Sequence, residues 1–372
     1  MKRTWQGILS DRNVIALTDG RPVLLYSREL IRSNSEFIYQ SAQKAFGDVV
    51  PFYAMKVAPV LDVAIAVGEC SQWGGEVYND SDLDMARDVG FKRVIADGYY
   101  KPIRFLEQCV DRDVMAVNVD SVEEAELINK ICKERHKRMS LGIRCKISDS
   151  SKMGMSYDEV MCAIPLFKKM TNIEVCGVHT HPCSNAQGKP LAYEAYRYEA
   201  RVAKLLQHNG FHLRYVDIGG GVKEVATHGA NLLEHFSRVK DIFCGVCPEE
   251  FYIEPGRGVV GDAGALVCKV VSIDRSDKLV NVDIAVYPYL ATAGATFDCM
   301  FPDSHMKGAR LHEFGVGGIW PASIDVIPAE KVNGAIPEDV KAGDRFVLLN
   351  AGAYVADKLS DYAFAKIPIA IV

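Results

Sequence analysis

The chain has no long hydrophobic run, no marked excess of charge and few histidines, and each shortage removes a class of protein. Its longest apolar stretches, such as AKIPIAIV at the C-terminus, fall far short of the roughly 20 residues a membrane-spanning helix needs. The opening MKRTWQGILSDR lacks the apolar core and small-residue cleavage site of a secretory leader. Forty-three basic and 48 acidic residues leave a net charge of −5, with no basic stripe for nucleic acid and no like-charge tail. Low-complexity linkers and close repeats are also missing. A soluble, cytoplasmic protein is expected, with no nucleic-acid or membrane partner. Cysteine is not scarce: there are 11, an odd number scattered through core-like segments, which reads as reduced thiols packed as small hydrophobes. Cys244 and Cys247 form one CxxC, but a zinc site wants a second pair and none exists.

What is present is ample core material. Nearly half of the 372 residues are hydrophobic, and the length suits two domains. Short apolar runs recur: VVPFYAMKV, EVYN, RVIA, VMAVNV, LGIRC, EVCGVHT, RYVDIG and FYIEPG. Between them lie segments with helical spacing and start signals. Ser121 with Glu124, and Ser156 with Glu159, have capping-box spacing, and Gly210 is placed to end a helix. Eight strands alternating with helices predict a (β/α)8 barrel over 28–260. A doubly wound sheet shows the same alternation; the count of eight favours the barrel. After about residue 260 the runs ALVCKVVSIDR, KLVNVDIAVY, IDVIPAE and RFVLLNAGAY are β-rich. They predict a second, all-β barrel or sandwich domain over 261–372. The opening segment 1–27, through RPVLLYS, also reads as strand-like and is expected to join it.

The chemistry centres on PFYAMKVAP, residues 51–59. On a strand, Phe52, Ala54 and Lys56 share one face. A lysine at the C-terminal end of a first barrel strand lies where barrel enzymes keep their chemistry. Burial would lower its pKa and free an amine for Schiff-base formation; the alternative is a lysine snorkelling out of the strand end. VDIGGGV puts three glycines after strand seven, and EPGRG follows strand eight, the loops where barrels commonly hold phosphate. HTHPCSN ends strand six, with His179 and His181 on one face, so an HxH metal pair is considered. Metal-dependent barrels usually carry that pair on strand one and need further ligands, so no metal is expected.

PFYAMK, LGIRC with KMG downstream, GVHTHPCS, DIGGGV, EPGRG and GAYVADKLSDYAF occur in the order found in fold-type III pyridoxal-phosphate-dependent decarboxylases. The chain resembles that family of ornithine, lysine, arginine and diaminopimelate decarboxylases, built on an alanine-racemase-like barrel. The resemblance implies pyridoxal 5′-phosphate carried by Lys56, with His181 stacked on its ring and Arg144 beside it. It implies Ser184, Gly219, Gly220, Gly221, Gly256, Arg257 and Tyr354 around the phosphate, and Glu76 near the cofactor. Glu254 matches the carboxylate that pairs with the pyridine nitrogen; an anion there keeps the ring protonated and electron-withdrawing. Alanine racemases place an arginine there, so Glu254 favours decarboxylation through a stabilised carbanion, with Lys56, His181 and Glu254 catalytic. A homodimer with active sites at the interface is implied as well.

One motif departs from the family. Relatives carry a Gly-Pro-x-Cys-(Asp/Glu) run whose cysteine and acid reach the neighbouring active site. Here GGIWPASID puts Pro321 and Ala322 at those two places, and proline can neither donate a proton nor bind an ammonium. Trp320 and Pro321 would make the substrate pocket, lined also by Ser323 and Tyr354, more apolar. Asp303, in FDCMFPD, matches the acid that binds a distal ammonium in diamine-forming members, or caps a surface turn. The expected activity is decarboxylation of a basic amino acid or a related biosynthetic or polyamine intermediate. Two alternatives stay open: another reaction of the same cofactor (decarboxylation-dependent oxidation, racemisation or elimination), and a non-catalytic homologue that regulates a decarboxylase.

Overall fold

A computed structural model describes residues 2–147, 151–287, 296–304, 313–359 and 366–372. Two units are distinguished. One comprises Asn34–Lys56 and Ala64–Gly258; the other comprises Met1–Ser33, Val57–Val63 and Val259–Val372. The first strand, β1 (Val23–Tyr26), belongs to the second of these.

Eight parallel strands close the first unit into a barrel: β2 (Val49–Ala54), β3 (Gly74–Val77), β4 (Val94–Ala96), β5 (Ala116–Val119), β6 (Met139–Arg144), β7 (Ile173–His179), β8 (Tyr215–Asp217) and β9 (Glu250–Ile253). Closure comes from β2 pairing with β9, Val49 opposite Phe251, which excludes the open doubly wound sheet. The strands read as apolar runs because helices cover their outer faces while their inner faces meet one another. Val50, Phe52, Ile95, Ala116, Cys176, Tyr215 and Tyr252 fill the interior. Each large side chain buried this way contributes about 1.5–3 kcal/mol. Tyr215 stacks on Tyr252 with centroids 4.5 Å apart. A Cβ on Gly177 would overlap the Tyr215 ring, so glycine is required there.

Local signals set the helix ends. Ser156 and Glu159 form the expected capping box at the helix Tyr157–Phe167. Ser121 accepts from the Glu124 amide at the start of Val122–Glu134, but the Glu124 carboxylate accepts from Asp120 N–H and Lys101 Nζ instead of closing the box. Gly210 follows the helix Pro190–His208 with φ +84°.

Among the described residues the second unit forms a mixed nine-stranded sheet. Its further strands are β10 (Gly264–Asp274), β11 (Leu279–Val282), β12 (Phe297–Met300), β13 (Gly315–Gly317), β14 (Val326–Ile327), β15 (Val332–Asn333), β16 (Arg345–Leu349) and β17 (Ile369–Ile371). The main path runs β14-β13-β11-β10-β16-β12-β15, and β1 pairs with β10 antiparallel and β17 parallel. The opening segment departs from its strand-like expectation: Lys2–Leu9 and Arg12–Thr18 are helices, and only β1 is extended. Asp11 caps the second helix, accepting from the Asn13 and Val14 amides. Trp5, Leu9 and Val14 pack on Val23, Leu25, Ala265, Val267, Val347 and Leu349, so burial on one helical face decides the outcome. Among the described residues no helix is long and apolar enough to cross a membrane.

Candidate active site

The C-terminal ends of the barrel strands carry a layer of charged side chains. Glu76 comes from β3, Arg144 ends β6, His179 ends β7 and Asp217 ends β8. Lys56, Asp97 and Glu254 lie within two residues of the ends of β2, β4 and β9. Register keeps part of the layer level: Arg144 is opposite His179, and His179 opposite Asp217. Glu76, Asp97, Arg144, His179, Asp217 and Glu254 are all buried.

Lys56 differs from its expected state. Strand β2 stops at Ala54, and Lys56 sits in the single turn Met55–Val57. Its Nζ donates to both oxygens of Glu76 at 2.9 Å. Although 36% of the side chain is exposed, the ammonium is ringed by acids. Burial works against its charge, but Glu76, Asp97 and Glu254 outweigh burial and hold its pKa above the ordinary lysine value. The expected lowering is therefore reversed, because three acids from distant strands converge on one amine. Burial raises the Glu76 carboxyl, opposed by Lys56.

Arg144 Nη1 donates to both oxygens of Asp97, at 3.2 and 3.0 Å. Burial opposes the Asp97 charge, but His179, Arg144 and Lys56 hold its carboxyl far below the usual range. His181 lies beyond the end of β7. Its Nδ1 accepts from the Gly220 N–H at 3.2 Å, which leaves the proton of the neutral ring on Nε2. Burial, then the cations Lys56 and Arg144, push its pKa down to about 4. His179 points elsewhere: its Nε2 is 3.5 Å from Glu254 and its Nδ1 3.7 Å from Asp97. Asp97, His179 and Glu254 place donor atoms within 4.8 Å of one another, but His181 is outside that group, so the HxH pair does not converge on one ion.

Three loops meet beside this layer. Gly219 and Gly221 adopt φ +65° and +90°. A Cβ on Gly220 would lie 2.6 Å from the Glu254 carbonyl oxygen, and one on Gly221 2.5 Å from Ala186 Cβ. The Glu254 N–H donates to Gly219 O at 2.8 Å, joining the loops after β8 and β9. The Gln187 N–H donates to Gly221 O at 3.2 Å, joining the loop after β7, which carries the exposed Ser184. Asp217 accepts from the Gly219 N–H at 2.9 Å. Arg257 is buried beside Glu224, Nη1 to Oε1 3.5 Å. Among the described residues the Gly221 and Gly256 amides have no acceptor.

The remaining expected residues lie in the sheet unit. Tyr354 occupies a left-handed turn, φ +60°, and its N–H donates to Val57 O at 2.7 Å. Trp320 packs near Tyr287, and Ser323 is exposed. Asp303 is already paired: its two oxygens accept from the backbone N–H, Nε and Nη2 of Arg345 at 2.7–3.3 Å, which ties it to β16. The motif GAYVADKLSDYAF falls partly outside the described residues.

Sequence reading passed over Asp97, Asp217 and the buried Glu199. Asp97 and Asp217 had a usable signal, an acid at the C-terminal end of an apolar barrel strand, in RVIAD and RYVD. Glu199, on a covering helix, had none.

These residues fit pyridoxal 5′-phosphate. An amine stands at the mouth, glycine amides without acceptors can meet a phosphate, and a neutral imidazole can lie against a ring. Glu254 Oε1 is buried and has no hydrogen-bond partner among the described residues, as a carboxylate waiting for a ring N–H would be. Burial is the largest influence and opposes the Glu254 charge, but His179 and Lys56 together outweigh it and lower its pKa.

Residues 35–261 match the model of the pyridoxal-dependent decarboxylase, pyridoxal binding domain. The diaminopimelate decarboxylase of Aquifex aeolicus is 27% identical over 370 residues, covering 91% of this chain and 83% of that protein. Among solved structures, Helicobacter pylori diaminopimelate decarboxylase complexed with L-lysine superposes with TM-score 0.83 at 21% identity, covering 97% of this chain and 94% of that one. The arginine decarboxylase of Paramecium bursaria Chlorella virus gives TM-score 0.83 at 18% identity over 100% of both chains. The match over most of the barrel settles the family, and the chain belongs to the pyridoxal-dependent decarboxylases.

Proposed function

We propose that this enzyme removes the α-carboxylate of a basic amino acid or of a related biosynthetic or polyamine intermediate. The observation that carries the reading is the Lys56–Glu76 pair at the barrel mouth, with the unpartnered Glu254 oxygen in the same charged layer. The names of the sequence relatives put diaminopimelate among the first substrates to try.

Pyridoxal 5′-phosphate, when bound, supplies a ring that withdraws the electrons left on the α-carbon as carbon dioxide departs. The protein's part is positioning and proton management. Lys56 would hold the cofactor at its aldehyde carbon, and its ammonium must first lose a proton. Glu76, whose burial favours its neutral form, is placed to take it. His181, neutral, would lie against the ring. Glu254, kept anionic, would hold a proton on the ring nitrogen. Gly219–Gly221, Gly256, Arg257 and Ser184 would bind the phosphate. Pro321 and Ala322 offer no acidic proton, which leaves Lys56 or water to return one to the α-carbon. A head-to-tail homodimer is part of the same proposal.

The test is carbon dioxide release by the purified, cofactor-loaded chain from diaminopimelate, lysine, ornithine, arginine and carboxylated polyamines, with mass spectrometry of the products. One substrate should yield carbon dioxide and amine in equal amounts. Carbon dioxide without the amine would instead identify an oxidative reaction, and a loaded but inert protein would end the proposal.

A further inference from the structure

Glu254 is part of a row of alternating charge. Arg144 contacts Asp97 at 3.0 Å, Asp97 lies 3.7 Å from His179, and His179 lies 3.5 Å from Glu254. His179 has no exposed surface, and among the described residues neither of its ring nitrogens has a hydrogen-bond partner. Both separations exceed a hydrogen bond, so the ring is held between two acids at electrostatic contact distance.

We infer that His179, backed by Asp97, is a positioning residue that keeps Glu254 ionised where it faces the cofactor's ring nitrogen. This rests on the proposed role of Glu254 at that nitrogen. A carboxylate this deep would ordinarily take up a proton. Two neighbours are pushed that way. Asp217 and Glu199 are as buried as Glu254, and burial pushes both carboxyls well above the usual range. Glu254 is pushed the other way, and the imidazole 3.5 Å from it is the largest influence against burial. Other charged groups facing this row are Lys56 and Glu76 on the β2–β3 side. Asp97 faces the other nitrogen of the same ring, 3.7 Å away, so it acts on Glu254 through His179.

The experiment compares binding of pyridoxal 5′-phosphate with binding of its 1-deaza analogue, in which the ring nitrogen is replaced by carbon. Dissociation constants are read by fluorescence titration for the wild type, His179→Gln and Asp97→Asn. The wild type should prefer the natural cofactor by about tenfold, the scale of one charge-assisted hydrogen bond. His179→Gln should erase that preference while leaving affinity for the analogue unchanged, and Asp97→Asn should narrow it. If His179→Gln does not fold, the narrowing in Asp97→Asn decides. A preference that survives in the variants, or equal weakening of both ligands, overturns the inference and leaves Glu254's role standing. No preference in the wild type overturns that role itself.

Discussion

Lys56 and Glu76 meet at two points, each carboxylate oxygen 2.9 Å from the ammonium, with the acid fully buried and the amine partly open. The pair stores one proton between an amine that must lose it and an acid whose burial favours accepting it. Lys56→Ala should abolish decarboxylation and the absorbance of attached cofactor in a chain that still folds. Glu76→Gln should slow cofactor attachment by about 100-fold, the usual scale for losing a positioned proton acceptor. Stopped-flow absorbance after mixing cofactor with cofactor-free protein measures both; an unchanged attachment rate in Glu76→Gln would remove the acid from the proton path.

Gly220 is fixed by the carbonyl of Glu254. A methyl group there must displace backbone, because its nearest neighbour would be the Glu254 oxygen at 2.6 Å. Gly220→Ala should cost about 1–3 kcal/mol, the range for overpacking, and weaken cofactor binding. Gly7→Ala is the control: its Cβ meets nothing within 4 Å and lies in the helix Lys2–Leu9. That change should stabilise by about 0.5–1 kcal/mol. Denaturant unfolding of both variants checks the contrast.

Asp303 braces Arg345, which also donates to Leu9 O at 3.1 Å. Asp303→Asn should therefore lower stability by about 1–2 kcal/mol, scaled down because the carboxylate is partly exposed. The KM for the amino acid should not move. A tenfold rise in KM at unchanged stability would return Asp303 to the substrate site.

His235 makes the protein acid-sensitive. Burial, then Lys223 and Arg238, push its pKa down to about 4, and its Nδ1 faces Tyr193 Oη at 3.0 Å. The unfolded histidine titrates near 6.5. Between pH 6.5 and 4 the unfolded chain binds a proton that the folded one refuses, so stability falls as pH falls through that window. The loss attributable to His235 is about 1–3 kcal/mol. Unfolding at pH 7 and pH 4.5 should show this slope in the wild type and less of it in His235→Gln; equal slopes would assign the effect to other groups.

The barrel was legible because its strands are covered on both faces and so read as unbroken apolar runs, from VVPFYA to FYIE. The opening helices were not, because Trp5, Leu9 and Val14 become one face only when β1, β10 and β16 are there to receive it. The glycine loops announced themselves by composition. The protonation of Lys56 did not: it depends on Glu76, Asp97 and Glu254, acids up to 198 positions away in the chain (254 − 56), whose convergence no local pattern records. The pairing of Asp303 was hidden for the same reason, since Arg345 lies 42 residues on.

Asp325 is buried, and its carboxylate accepts from the backbone amides of Val286, Tyr287 and Trp320 at 2.6–2.8 Å, while Pro321–Ile324 stay exposed. One side chain thus fixes the outline of the stretch Trp320–Ile324. Its exposed residues can be exchanged without redrawing the backbone, so new chemistry can be installed there by substitution alone, provided position 325 is left as it is.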